Sequence, residues 1–118
     1  MAYRVDISPP ALNDVRNIFE WLRDGSETRS GEWLTALLRA KDSLKELPNR
    51  CPIAPESRPF PIEIRQLLFG IGKRQWRIVF GVSVDEANGE NVVRVYRVRD
   101  SRQSKLDEIE IMGENYDY

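Results

Sequence analysis

A chain of 118 residues has room for one domain with a real core and not for two. With 41% apolar and 31% charged residues and no apolar run near the roughly 18 residues that span a bilayer, it reads as a soluble globular protein outside any membrane. It contains no histidine and one cysteine, Cys51, which excludes Ser-His-Asp and Cys-His catalysis, the usual zinc sites and an internal disulfide.

Any acid–base chemistry therefore falls to carboxylates, Lys or Tyr, with Arg as an electrostatic partner. No metal or other cofactor is expected. The N-terminal stretch lacks an apolar signal region, so a cytoplasmic location is expected. The net charge of −1 is unevenly divided. Residues 1–61 carry nine Lys/Arg against nine Asp/Glu, residues 62–105 nine against five, and residues 106–118 none against five. A basic second half followed by an acidic tail admits two readings. One is a phosphate-binding face. The other is arginine used for solubility, edge protection and ion pairs across a sheet.

In chain order, residues 3–7 alternate apolar and polar, which predicts a first strand with one buried face. Ser8-Pro9 predicts a helix start, because Ser8 can cap free N–H groups and proline is tolerated at the first helical position. Leu12, Val15, Ile18, Phe19 and Leu22 share helical spacing and predict one buried stripe, ended by Asp24-Gly25-Ser26. A second helix is predicted from Glu27 or Ser30 to Leu47, with Trp33, Leu37, Ala40, Leu44 and Leu47 inward and Pro48 as its stop. Trp21 and Trp33 read as core or rim packing. Five of the seven prolines fall within residues 48–61, a stiff connection from helices to sheet.

Three strands are predicted over residues 62–69, 75–84 and 91–98. Trp76, Ile78, Phe80 and Val82 alternate with Arg77, Val79 and Gly81. In the last strand Val93, Val95 and, by continued alternation, Arg97 oppose Val92, Arg94, Tyr96 and Val98. Asn88-Gly89 marks a hairpin turn. A short helix is predicted over residues 101–111, capped by Asp100 or Ser101, and an acidic flexible tail over 113–118. The order is that of an α+β fold: an N-terminal strand, an antiparallel helical hairpin, then a three-strand antiparallel meander in one sheet with strand 1. Residues 1–112 form the single domain.

The combination resembles the RelE/ParE superfamily of toxins from bacterial type II toxin–antitoxin modules. The residues that carry the likeness are Tyr3 to Ala11 with Ser8-Pro9-Pro10-Ala11 at the first helix, Trp21-Leu22, Leu44 to Pro48, Cys51-Pro52, Pro55-Glu56, Ile64-Arg65-Gln66-Leu67 with Gly70, Trp76-Arg77-Ile78-Val79-Phe80 and the stretch from Val95 to Arg102. The resemblance implies a growth-inhibiting toxin neutralised by a cognate antitoxin protein, with operator DNA contacted only through that antitoxin.

It also implies one of two targets. RelE-like members cleave messenger RNA on the ribosome without a metal. In that branch the catalytic positions fall on Arg65, Arg77 and Arg102, with Lys73, Arg74, Arg97, Arg99 and Lys105 as RNA contacts. ParE-like members inhibit DNA gyrase without catalysis. The usual C-terminal tyrosine of the nuclease branch has no counterpart, the matching region being Lys105-Leu106-Asp107. On the residues alone, ribosome-dependent cleavage stands slightly ahead, because the basic strand pair is retained.

Overall fold

The computed structural model describes residues 2–57, 63–103, 106 and 111. The elements are β1 (Arg4–Ile7), α1 (Pro9–Gly25), α2 (Glu27–Ser43), β2 (Arg65–Ile71), β3 (Arg74–Val84) and β4 (Asn91–Asp100). Two single 3-10 turns, Pro48–Arg50 and Pro55–Ser57, lie in the proline-rich connection.

Ser8 holds the start of α1 in three ways. Its hydroxyl accepts from the Ala11 N–H at 3.2 Å and donates to the Tyr96 carbonyl at 2.9 Å, and its own N–H reaches the Val95 carbonyl at 3.0 Å. The N-cap therefore also stitches the helix to β4. Ser26 closes α1 through its N–H to the Leu22 carbonyl and opens α2 by accepting from the Arg29 N–H at 3.1 Å. One residue thus makes the whole joint of the helical hairpin. The second helix ends at Ser43, four residues short of the predicted Leu47. Leu47 takes a left-handed φ of 48° and is exposed, and the Arg50 guanidinium caps the carbonyls of Ser43, Glu46 and Leu47. The residue before a proline is disfavoured in a right-handed helix, so Leu47 is not the helical residue its spacing suggests.

The strands form one sheet in the order β1-β4-β3-β2. β2, β3 and β4 are antiparallel neighbours, but β1 pairs with β4 in parallel, so the sheet is mixed rather than antiparallel throughout. Parallel pairing needs a long connection, and the chain between β1 and β4 supplies it through the helical hairpin, the proline-rich connection and the β2–β3 hairpin. The predicted C-terminal helix does not begin at Ser101. Residues 101 and 102 are a turn in which the Asp100 carboxylate accepts the Arg102 N–H at 2.9 Å and the Asp100 carbonyl accepts the Gln103 N–H at 3.1 Å. Asp100 closes a turn on its own backbone, the alternative an aspartate offers to helix capping. The remainder of that helix, the boundary at 112 and the tail lie outside the described residues, apart from Leu106 and Ile111.

Both helices cover one face of the sheet. There Ala11, Leu22, Trp33, Leu37 and Leu44 meet Phe69, Trp76, Ile78, Phe80, Val93, Val95 and Val98. Trp33, Phe69 and Trp76 pack with ring centroids 6.0 to 6.3 Å apart. Leu12, expected on the buried stripe, is half exposed. The second face carries a smaller cluster of Ala54, Ile64, Val79, Leu106 and Ile111, with Tyr96 against it.

A one-residue register shift separates these halves of β4. Phe80 pairs with Val95 and Val79 with Arg97, leaving Tyr96 as the extra residue of a β-bulge. The bulge reverses the alternation, so Val98 joins Val93 and Val95 in the helix-side core, against the predicted pattern.

Candidate functional site

The β2–β3 hairpin turns through Gly72-Lys73, with Gly72 at a φ of +58° that only glycine adopts freely. Lys73 is exposed at its tip. The register pairs Arg65 with Phe80 and Arg77 with Leu68. Phe80 belongs to the helix-side core, so Arg65 and Arg77 leave opposite faces of the sheet and do not meet. Arg65 donates to the Cys51 and Asn49 carbonyls at 2.6 and 3.2 Å and to the Glu63 carboxylate at 2.9 Å. It ties the proline-rich connection to the edge of β2.

Arg77 is buried on the second face. Its two terminal nitrogens donate to the two oxygens of Glu56, and Nη1 also reaches Gln66 Oε1 at 3.2 Å. Glu56 is wholly inaccessible, and its Oε2 further accepts the Leu106 N–H at 3.0 Å. Burial alone would raise the Glu56 pKa, but the hydrogen bonds from Arg77 and the Leu106 N–H outweigh it and hold the carboxyl below its ordinary value. Arg99 sits across the ladder from Arg77.

A third group gathers where β3 starts and β4 ends. Arg74 donates twice to Asp100, at 2.6 and 2.9 Å, while its guanidinium carbon lies 4.7 Å from the ring centre of Trp21 and 5.2 Å from that of Trp76. Arg102, 74% exposed, reaches the same carboxylate at 3.4 Å. Partial burial would raise the Asp100 pKa, but the Arg102 N–H, the Arg102 side chain and Arg74 together lower it to about 2. Trp21, Arg74, Trp76 and Asp100, with Ile18 and Gln103, line an open cleft of about 230 Å3. Trp21 is its exposed wall and Trp76 its buried floor.

Arg97 is held elsewhere. Asp14 on α1 accepts its Nε and Nη2 at 2.6 and 2.7 Å and the Val98 N–H at 3.0 Å. Lys105 lies outside the described residues. The predicted positions thus fall into separate places: Arg74 and Arg102 share Asp100, Arg77 faces Arg99, Arg65 and Arg97 stand apart, and Lys73 caps the turn.

As partners, Asp14, Gln66 and Asp100 carry no mark in the sequence, and Glu56 only its place in the family pattern and one further signal. The usable signal for Glu56 was its being the one acid in the proline-rich connection of residues 48–61. Among the described residues no group of three or more His, Cys, Asp or Glu side chains is placed to hold a metal ion. None of their helices is long and apolar enough to cross a membrane.

The family model for the ParE toxin of type II toxin–antitoxin systems, parDE, matches residues 5–105. The match takes in both helices, the whole sheet and the turn after β4. The chain belongs to this family, within the RelE/ParE superfamily, and the family implies a toxin with a cognate antitoxin. No curated protein gives a significant match.

Proposed function

We propose that this toxin arrests growth by binding its target, DNA gyrase, rather than by cutting RNA. The observation that carries this reading is the state of Arg77. A phosphate-binding arginine must offer its planar fork to the substrate, and here both ends of the fork are bonded to a buried carboxylate. Freeing it would strand an uncompensated charge in the protein, at a cost of about 3 to 5 kcal/mol. Arg65, Arg77 and Arg102 stand in three separate places, so they do not converge on one scissile phosphate. Catalysis by charge stabilisation requires such convergence.

The accessible surfaces suit protein recognition better. Trp21 with Arg74 over its ring has the composition of an interface anchor, a tryptophan paired with an arginine. The cations at the hairpin tip and after β4 attract an acidic antitoxin segment over a distance. In this reading the protein works in the cytoplasm, and the antitoxin alone carries the operator-binding function.

The test is a pair of assays on the purified protein: supercoiling by gyrase, and cleavage of a messenger RNA on programmed ribosomes. Loss of supercoiling with intact message supports the reading. Cut message with unimpaired gyrase overturns it and returns Arg65, Arg77 and Arg102 to a catalytic role.

A further inference from the structure

We propose that Glu56 and Arg77 form a clasp that fixes the C-terminal segment on the second face of the sheet, with the Leu106 N–H as its ligand. The three residues come from the proline-rich connection, β3 and the chain after β4, and they meet at one carboxylate. The Arg77 fork takes one acceptor site on each oxygen of Glu56. The second site on Oε2 is left for a donor from outside the sheet, and Leu106 supplies it at 3.0 Å.

Around this bond lies an apolar seat. Leu106 and Ile111 are each only 2% exposed, packed in one cluster with Ala54, Ile64 and Val79. The two parts of the contact do different work. Apolar burial holds the segment down but is non-directional, so it does not by itself fix how the Leu106 backbone is turned toward the sheet. A charge-assisted N–H···O bond accepts one geometry, and so fixes that orientation.

Glu56 and Arg77 are thus positioning residues. Gln66 braces Arg77 from the neighbouring strand, keeping the fork aimed at Glu56. The clasp stands on the protein alone. Its consequence, that it sets how the segment after β4 is presented to a target, rests on the binding reading above.

The test is amide exchange on the full chain, followed residue by residue by NMR, in Glu56→Gln and in the double variant Glu56→Leu/Arg77→Met. The double variant removes both charges together, so no buried ion is left unpaired and the fold is kept even where the single variant fails. The expected result is a Leu106 amide that exchanges at least about tenfold faster in the double variant, while the β3 amide of Ile78 stays within about twofold. An unchanged Leu106 amide overturns the clasp, because the apolar seat alone would then hold the segment. Equal acceleration at Leu106 and Ile78 overturns it too, because the pair would then be ordinary core. Faster exchange at Leu106 with undiminished growth inhibition confirms the clasp and removes the segment from target binding.

Discussion

Arg65 and Arg77 lie on adjacent strands of one hairpin, yet one reaches the carbonyls of the proline-rich connection and the other a carboxylate buried under the opposite face. Their truncation should therefore have different costs. Arg77→Ala leaves Glu56 charged and buried without its partner, and should lose about 3 to 5 kcal/mol. Arg65→Ala removes hydrogen bonds to two carbonyls at the partly buried edge of β2, and should lose about 1 to 2 kcal/mol. Urea unfolding of both variants measures the difference. Equal losses would show that the buried pair carries no special weight.

Arg102 offers the functional counterpart. With 74% of its side chain exposed and only 3.4 Å contacts to Asp100, Arg102→Ala should change stability by less than about 0.5 kcal/mol. In the binding reading it should also leave growth inhibition within about tenfold when the variant is expressed from a tight promoter, since no reaction step depends on it. Complete loss of inhibition in this folded variant would count for catalysis.

The helical hairpin was legible because its signals are local. Ser8-Pro9 and Ser26 are caps, and the stripes through Val15, Ile18, Leu22 and Trp33, Leu37, Leu44 recur at helical spacing. The alternation of Trp76, Ile78 and Phe80 was legible in the same way. The bulge at Tyr96 was not, since no glycine or proline marks it, and it alone moves Val98 into the helix-side core. The charge pattern misled for a different reason. The basic excess of residues 62–105 suggests an open cationic face, but Arg77 and Arg97 find their acids, Glu56 and Asp14, in the electrically neutral first half. Charge counted by segment cannot register pairs made across segments. The two arginines are the folded protein's internal fastenings.

Asp100 predicts an acid limit. Its folded pKa of about 2 lies below its unfolded value near 3.8, so the folded form holds the charged carboxylate more favourably. A depressed carboxyl contributes stability that is complete above the unfolded value and lost as pH falls through the folded one. Glu56 acts in the same direction from its own lowered value. Stability should be flat above about pH 5 and fall between about pH 4 and pH 2. Asp100→Asn should remove about 1 to 2 kcal/mol of that slope, allowing for solvent screening at the rim. Thermal melting across this range, wild type against Asp100→Asn, reads the effect. Parallel curves would show that Asp100 gains nothing from Arg74 and Arg102.

Two glycines in the sheet should respond differently to an added methyl group. At Gly70 a Cβ would stand 2.3 Å from the Arg74 carbonyl oxygen, which belongs to the paired backbone of the hairpin and cannot move without breaking it. At Gly81 the nearest atom is the Tyr96 hydroxyl at 2.8 Å, with the ring edge at 3.0 Å, and a side chain can swing away. Gly70→Ala should lose about 3 kcal/mol or more, with no single substitution elsewhere restoring it. Gly81→Ala should lose about 1 to 2 kcal/mol, and the further change Tyr96→Ala should add less than it costs in the wild-type background, because it also relieves the clash. A double-mutant cycle on unfolding free energies measures the coupling. Strict additivity at Gly81 and Tyr96 would mean that the tyrosine does not use the space the glycine leaves.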